Sequence, residues 1–148
     1  MEIITYPNDI LREKCQLIKQ TDKDIIQQLH AIKKWAASPE SGAAGLALPQ
    51  IGIAKQGFVF HNLFTDTYEI VINPKILKKS GTQASNEGCL SIPGEEAMIT
   101  RFKEIEVIYQ MANLKSKKVV LRNKTAAIFQ HEFDHLHGKL YIDYLKEV

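Results

Sequence analysis

At 148 residues, 45% hydrophobic and 24% charged, the chain suits one globular domain spanning 1–148 with a real core, and it is neither disordered nor fibrous. A formal net charge of +2 is too small to argue for nucleic acid or an anionic membrane as partner. No apolar run reaches the length of a membrane span, and the stretch from Met1 to Pro7 lacks the blocks of a signal peptide, so a cytoplasmic location is expected.

In chain order, residues 8–14 are expected to form a short helical turn after Pro7. A helix is predicted over 22–37, with Thr21 as N-cap and Asp24 three residues on. Ile25, Leu29, Ile32 and Trp35/Ala36 recur at helical spacing and give it one apolar face, which packing explains completely. Ser38-Pro39-Glu40-Ser41-Gly42 ends it. From there to about residue 122 the texture is β, with short strands expected at Gly57–His61, Tyr68–Asn73, Glu104–Gln110 and Lys118–Leu121. The last helix is predicted from an Asn123 cap to His137, with Gly138 in the C′ position. An early helix, a block of strands and a late helix indicate an α+β fold. Cys15 carries no motif and is expected to be a free thiol without a mechanistic role.

The late helix carries the chemistry. Gln130-His131-Glu132-Phe133-Asp134-His135 contains H-E-x-x-H, and on a helix residues four apart share one face. His131 and His135 can therefore converge on one ion, while Glu132 reaches the reacting water without being a ligand. An ordinary helix with two incidental histidines is the bland alternative, so the argument turns on a third ligand, which a catalytic site of this kind requires. A longer H-E-x-x-H-x-x-G-x-x-H pattern would place it at 141, which is tyrosine. Few residues follow for a glutamate on a later helix, His30 and His61 carry no motif, and His137 points away from the shared face. Cys89 remains.

Cys89 lies in Glu87-Gly88-Cys89-Leu90-Ser91, and about forty residues on comes Gln130-His131-Glu132-Phe133-Asp134-His135-Leu136. Upstream stands Ala43-Ala44-Gly45-Leu46-Ala47-Leu48-Pro49-Gln50. In this order and at these spacings the chain resembles the peptide deformylase family, from Tyr6-Pro7-Asn8-Asp9 through Leu145. The resemblance implies short antiparallel sheets packed around the C-terminal H-E-x-x-H helix, with an N-terminal helix beside them. It implies a metal-dependent hydrolase that removes the formyl group from N-formylmethionine at the start of nascent polypeptides and releases formate. Cys89, His131 and His135 would hold the metal, Fe(II) first, with nickel or zinc as alternatives, since this ligand set suits each. Glu132 would be the acid/base, with the Gln50 side chain and the Leu90 N–H as donors to the developing oxyanion. Ala44, Ala127 and Ile128 fall where the family lines its methionine slot.

Gly45 is expected to let its loop approach the substrate backbone, with a positive φ open to it, and Gly88 to leave space beside Cys89. Glu87 is expected beside the substrate site, with Arg101 as a bracing partner, and Asp134 either orients a histidine or is a helix-surface acid. The chain departs from the family pattern at Ala43 and Leu48, and has Glu95-Glu96 where an arginine is usual. N-formylmethionyl peptides are the implied partners. The ribosome is a second, although this sequence stops at Val148, before the C-terminal helix that some bacterial members use there. Two other readings compete: a metallopeptidase or other amidase with the same chemistry, and a deformylase-fold protein that binds N-formyl or N-terminal peptides with weak or altered catalysis.

Overall fold

A computed structural model describes residues 1–146; Glu147 and Val148, where the sequence stops, lie outside the described residues. The elements run as a 3-10 turn at Asp9–Arg12, α1 (Lys23–Ala36), β1 (Gly45–Ala47), a second 3-10 turn at Leu48–Ile51, β2 (Gly57–Asn62), β3 (Thr67–Cys89), β4 (Ile92–Gln110), β5 (Ser116–Arg122), α2 (Asn123–His135) and a final 3-10 turn at Tyr141–Lys146. The strands form one antiparallel sheet in the order β1-β2-β3-β4-β5. No described helix is long and apolar enough to cross a membrane.

The sheet is a single one, and two of its strands are longer than the sequence suggests. The expected strands at 68–73 and 104–110 are parts of β3 and β4, of 23 and 19 residues, which form one long hairpin that ends at Cys89 and Ile92. The cause is visible in the middle of β3, where Lys78, Lys79, Ser80, Gly81 and Thr82 are exposed. A strand wet on both faces has no apolar alternation to read, and cross-strand pairing alone carries it through the register shifts. Helix bounds shift by smaller steps. Thr21 is not the cap of α1: Asp22 takes that place, and its carboxylate accepts the Lys19 N–H at 2.8 Å instead of a helix amide. Asn123 does not cap α2, which ends at His135, two residues short of the expected His137.

At β2 both faces of the sheet are covered. Phe58 and Phe60 of β2 meet Phe129 of α2 edge-to-face, with centroids 5.0 and 5.2 Å apart. Val59, between them in sequence, points the other way into the cluster built by Leu29, Ile32 and Ala36 of α1. This alternation of faces is why β2 is buried from Gly57 through Phe60. Cys15 is a free thiol that packs in the α2-side core, and burial pushes it up to about 11. With α2 pressed on the sheet, its last two turns meet the tip of the β3–β4 hairpin.

Candidate active site

At that meeting point Cys89, the last residue of β3, faces the two histidines of α2. One ligand-type atom from each of Cys89, His131 and His135 lies within 4.8 Å of the others. The Cys89 Sγ stands 3.5 Å from the His135 Nε2. Two ligands of a tetrahedral ion with bonds of about 2.3 and 2.0–2.1 Å would be about 3.6 Å apart, so the sulfur and this imidazole already have that spacing. The helical four-residue step supplies the rest, with the two rings 5.2 Å apart.

Neighbouring groups hold these side chains. Glu87, two residues before Cys89 across a register shift in β3, accepts from the His131 Nδ1 at 2.8 Å, which leaves the Nε2 toward the cysteine. Arg101 donates to both Glu87 oxygens at 2.8 Å and to Asp134 at 2.6 Å, all in a nearly dry setting. Asp134 therefore orients neither histidine; it holds Arg101 and accepts from the Tyr144 hydroxyl at 2.7 Å. Burial works against the ionised Glu87, yet the hydrogen bonds from Arg101 and His131 hold it down at about 2. Burial also opposes a charged His131, but the Cys89 sulfur and the Glu87 carboxylate outweigh it and keep the imidazolium favoured up to about 10. Burial and the His131 charge drive His135 well below its usual value. A cysteine sulfur and two imidazoles converging on one point are a ligand set that suits a divalent ion once their protons have left.

Glu132 is 4% exposed, and its Oε1 is a buried oxygen without a hydrogen-bond partner among the described residues. Burial pushes its carboxyl up to about 7. Gly45 is what makes room for it. The glycine sits in β1 without a positive φ, contrary to the sequence expectation, and a Cβ there would come 2.7 Å from the Val59 carbonyl and 2.8 Å from the Glu132 Oε2. Its role is a missing atom, not an unusual backbone. Gly88 likewise gives way to the Glu95 carbonyl, 3.2 Å from where a Cβ would be.

Gln50 has its amide orientation set by its two ends. The oxygen accepts from the Ala47 N–H at 2.9 Å, so the Nε2 is turned toward the Ser91 hydroxyl at 3.1 Å and the Cys89 sulfur at 3.5 Å. All of this opens into one cavity of about 760 Å³. Ala44, Gly45, Gln50, Glu87, Cys89, Leu90, Ala127, Ile128, His131 and Glu132 line it; His135 is buried and is not among the lining residues. The cavity also takes in Lys124, Glu95 and Glu96. His30 and His61 lie elsewhere, the latter bonded to Asp66 at 2.9 Å. The sequence reading missed Ser91 as the rest for Gln50, Tyr144 as the partner of Asp134 and Tyr141 as a neighbour of His131. The Tyr141 ring lies 6.1 Å from that of His131. No helical or strand period signals these pairs, which join separate elements.

The polypeptide deformylase family model matches residues 1–148. A peptide deformylase of Syntrophomonas wolfei is 37% identical over 142 residues, covering 96% of this chain and 91% of that protein. One from Borreliella burgdorferi is 38% identical over 148 residues, covering 99% and 88%. The crystal structure of the Thermotoga maritima peptide deformylase superposes with a TM-score of 0.88 at 33% identity, over 96% of this chain and 95% of that one. Members of this family are metal-dependent enzymes, which the cysteine–histidine cluster matches. By the whole-chain match, the identity of its relatives and the shared fold, this chain belongs to the polypeptide deformylase family.

Proposed function

We propose that this chain hydrolyses the formamide of N-formylmethionine at the start of nascent polypeptides, releasing formate and a free amino terminus. The observation that carries this is the convergence of Cys89, His131, the Glu132 carboxylate and the Gln50 amide on one cavity, with His135 buried behind them within reach of the same point. Cys89, His131 and His135 would hold the metal, for which we favour Fe(II). A divalent ion there supplies Lewis acidity and makes hydroxide accessible near neutral pH.

The chain's own residues do the remaining work. Glu132 takes the proton from the attacking water and later delivers it to the leaving amine nitrogen. Gln50 Nε2 and the Leu90 N–H donate to the formyl oxygen as it gains negative charge; each such donor is worth roughly 3–4 kcal/mol of transition-state stabilisation. Ala44, Ala127 and Ile128 present an apolar wall to the methionine side chain, and Gly45 keeps the Glu132 carboxylate clear of the strand. Glu87 fixes the tautomer and direction of His131. A cytoplasmic location, where nascent chains are made, belongs to the same proposal. A reading as a binding protein with little turnover is not favoured, because base, amide donor and ligand cluster stand together.

The test is anaerobic formate release from formyl-Met-Ala-Ser by Fe(II)- or Ni(II)-loaded protein, beside Glu132→Ala. We expect the variant to keep its metal and lose turnover by about 10²–10⁴-fold, the usual worth of a positioned acid/base. Loss of metal from the variant would mean that Glu132 is a ligand, and absence of formate from the parent would end the proposal.

A further inference from the structure

The residues around His131 lead away from the cavity to the C-terminal 3-10 turn, Tyr141–Lys146. From the imidazole the contacts run His131 Nδ1 to Glu87 (2.8 Å), Glu87 to Arg101 (2.8 Å), Arg101 to Asp134 (2.6 Å) and Asp134 to the Tyr144 hydroxyl (2.7 Å). Arg101 also lies over the Tyr144 ring, 4.9 Å from its centre. The same turn reaches His131 a second time, through the Tyr141 ring stacked 6.1 Å away. At its other side the turn is tied to the N-terminal 3-10 turn by Arg12, which donates to Asp143 at 2.6 and 3.0 Å.

We infer that the C-terminal turn is a positioning element for the metal site: the Tyr144 hydroxyl, by fixing Asp134 and Arg101, holds Glu87 and through it the ligand His131. This rests on the reading of Cys89, His131 and His135 as ligands. The physical basis is that Arg101 carries three charge-assisted hydrogen bonds in a fixed fork, so its position is shared between Glu87 and Asp134. Asp134 has a helix on one side and Tyr144 on the other. Without the hydroxyl, one Asp134 oxygen has only Arg101 to satisfy it, and the guanidinium is drawn from Glu87 toward Asp134. The imidazole then loses its fixed direction. Partners one shell outside a ligand typically change metal affinity by about 10–100-fold. Tyr144 is a further step out, so the lower end of that range applies.

The probe is Co(II), whose thiolate charge-transfer and d–d absorption report the ligand set directly without turnover. Release of Co(II) to a chelator is timed for the parent, Tyr144→Phe, Arg12→Ala and Tyr109→Phe, with thermal unfolding of each metal-free protein alongside. Tyr144→Phe keeps the ring under Arg101 and removes only the hydroxyl; we expect release about tenfold faster, with altered d–d bands. Arg12→Ala loosens the same turn from outside and should speed release by about two- to threefold on the same reasoning. Tyr109→Phe is the control, because it removes a hydroxyl that donates to Glu69 at 2.9 Å, away from the cluster. It should lower the unfolding temperature and leave release unchanged. Parent-like release in both Tyr144→Phe and Arg12→Ala overturns the inference, as does equal acceleration by Tyr109→Phe. If Tyr144→Phe fails to fold, Arg12→Ala decides. A parent protein that shows no thiolate–Co(II) band overturns the ligand reading itself, a result separate from the variants.

Discussion

Against α1 the sheet buries carbon, and against the C-terminal half of α2 it buries charge. On the first face Leu29, Ile32 and Ala36 meet Leu46, Val59, Ile70 and Ile72, and nothing there needs a partner. On the second, the aromatic cluster of Phe58, Phe60 and Phe129 gives way within two turns to Glu87, Arg101, Glu132 and His135, each under a tenth exposed. Apolar burial is worth about 25 cal/mol per Å² without directional demands, so the α1 face tolerates exchange of one aliphatic side chain for another. Buried ions carry a desolvation cost that only correct geometry offsets, so the α2 end is specified atom by atom. The fold thus separates an apolar face under α1 from the end of α2 that carries the candidate chemistry.

The largest expected effect tests that separation at its polar end. Arg101→Ala leaves Glu87 and Asp134 as buried carboxylates with their common counter-ion gone, and should cost about 3–5 kcal/mol. Denaturant unfolding of the metal-free protein measures it, and a loss below about 1 kcal/mol would show that water already reaches these groups. Next comes acid. The folded value of Glu87, about 2, lies below its ordinary value of 4.5, so its contribution is present above pH 4.5 and is lost as pH falls through 2. The shift corresponds to roughly 3 kcal/mol. Between pH 4.5 and 2 the metal-free parent should therefore lose about that much more stability than Glu87→Gln, whose side chain does not titrate. Parallel curves for the two proteins would remove Glu87 as the acid-sensitive group.

The same division decided what could be read from the sequence. The approach of His131 and His135 was legible because a helix imposes it locally, and Cys89 followed from excluding the other ligand types. The apolar stripe of α1 was legible for the same reason of periodicity: Leu29, Ile32 and Ala36 are buried as expected. Long-range polar contacts have no period. Asp134 could be expected to serve a histidine or solvent, and it serves Arg101, 33 residues away, and Tyr144 instead. The pairing of Glu87 with Arg101 was foreseen, but its extension to the C-terminal turn was not. Nor were the full lengths of β3 and β4, since exposed lysine, serine and threonine conceal a strand that pairing holds together. At Gly45 the sequence suggested an unusual backbone, whereas the need is for space beside a carboxylate, which only three-dimensional neighbours reveal.

On the α1 face, Ile32→Val should cost only about 1 kcal/mol in unfolding and leave formate release per folded molecule and Co(II) retention unchanged. A change in either would mean that the two faces are coupled through the sheet.

The smallest effect expected is a gain. Tyr141 is 2% exposed and stacks on His131, yet its hydroxyl has no hydrogen-bond partner among the described residues. A buried hydroxyl left unpaired carries a desolvation penalty of about 1 kcal/mol or more, whereas its ring provides the contact with the ligand histidine. Tyr141→Phe removes the first and keeps the second. It should raise the unfolding temperature by about 2–4 °C, the shift that 1 kcal/mol produces in a chain of this size, with Co(II) release at the parent rate. A lower unfolding temperature would show that the hydroxyl is satisfied by bound water. Higher stability joined to faster release would show that the oxygen, and not only the ring, serves the metal site, and the polar end would then hold one more group kept at a cost to the fold.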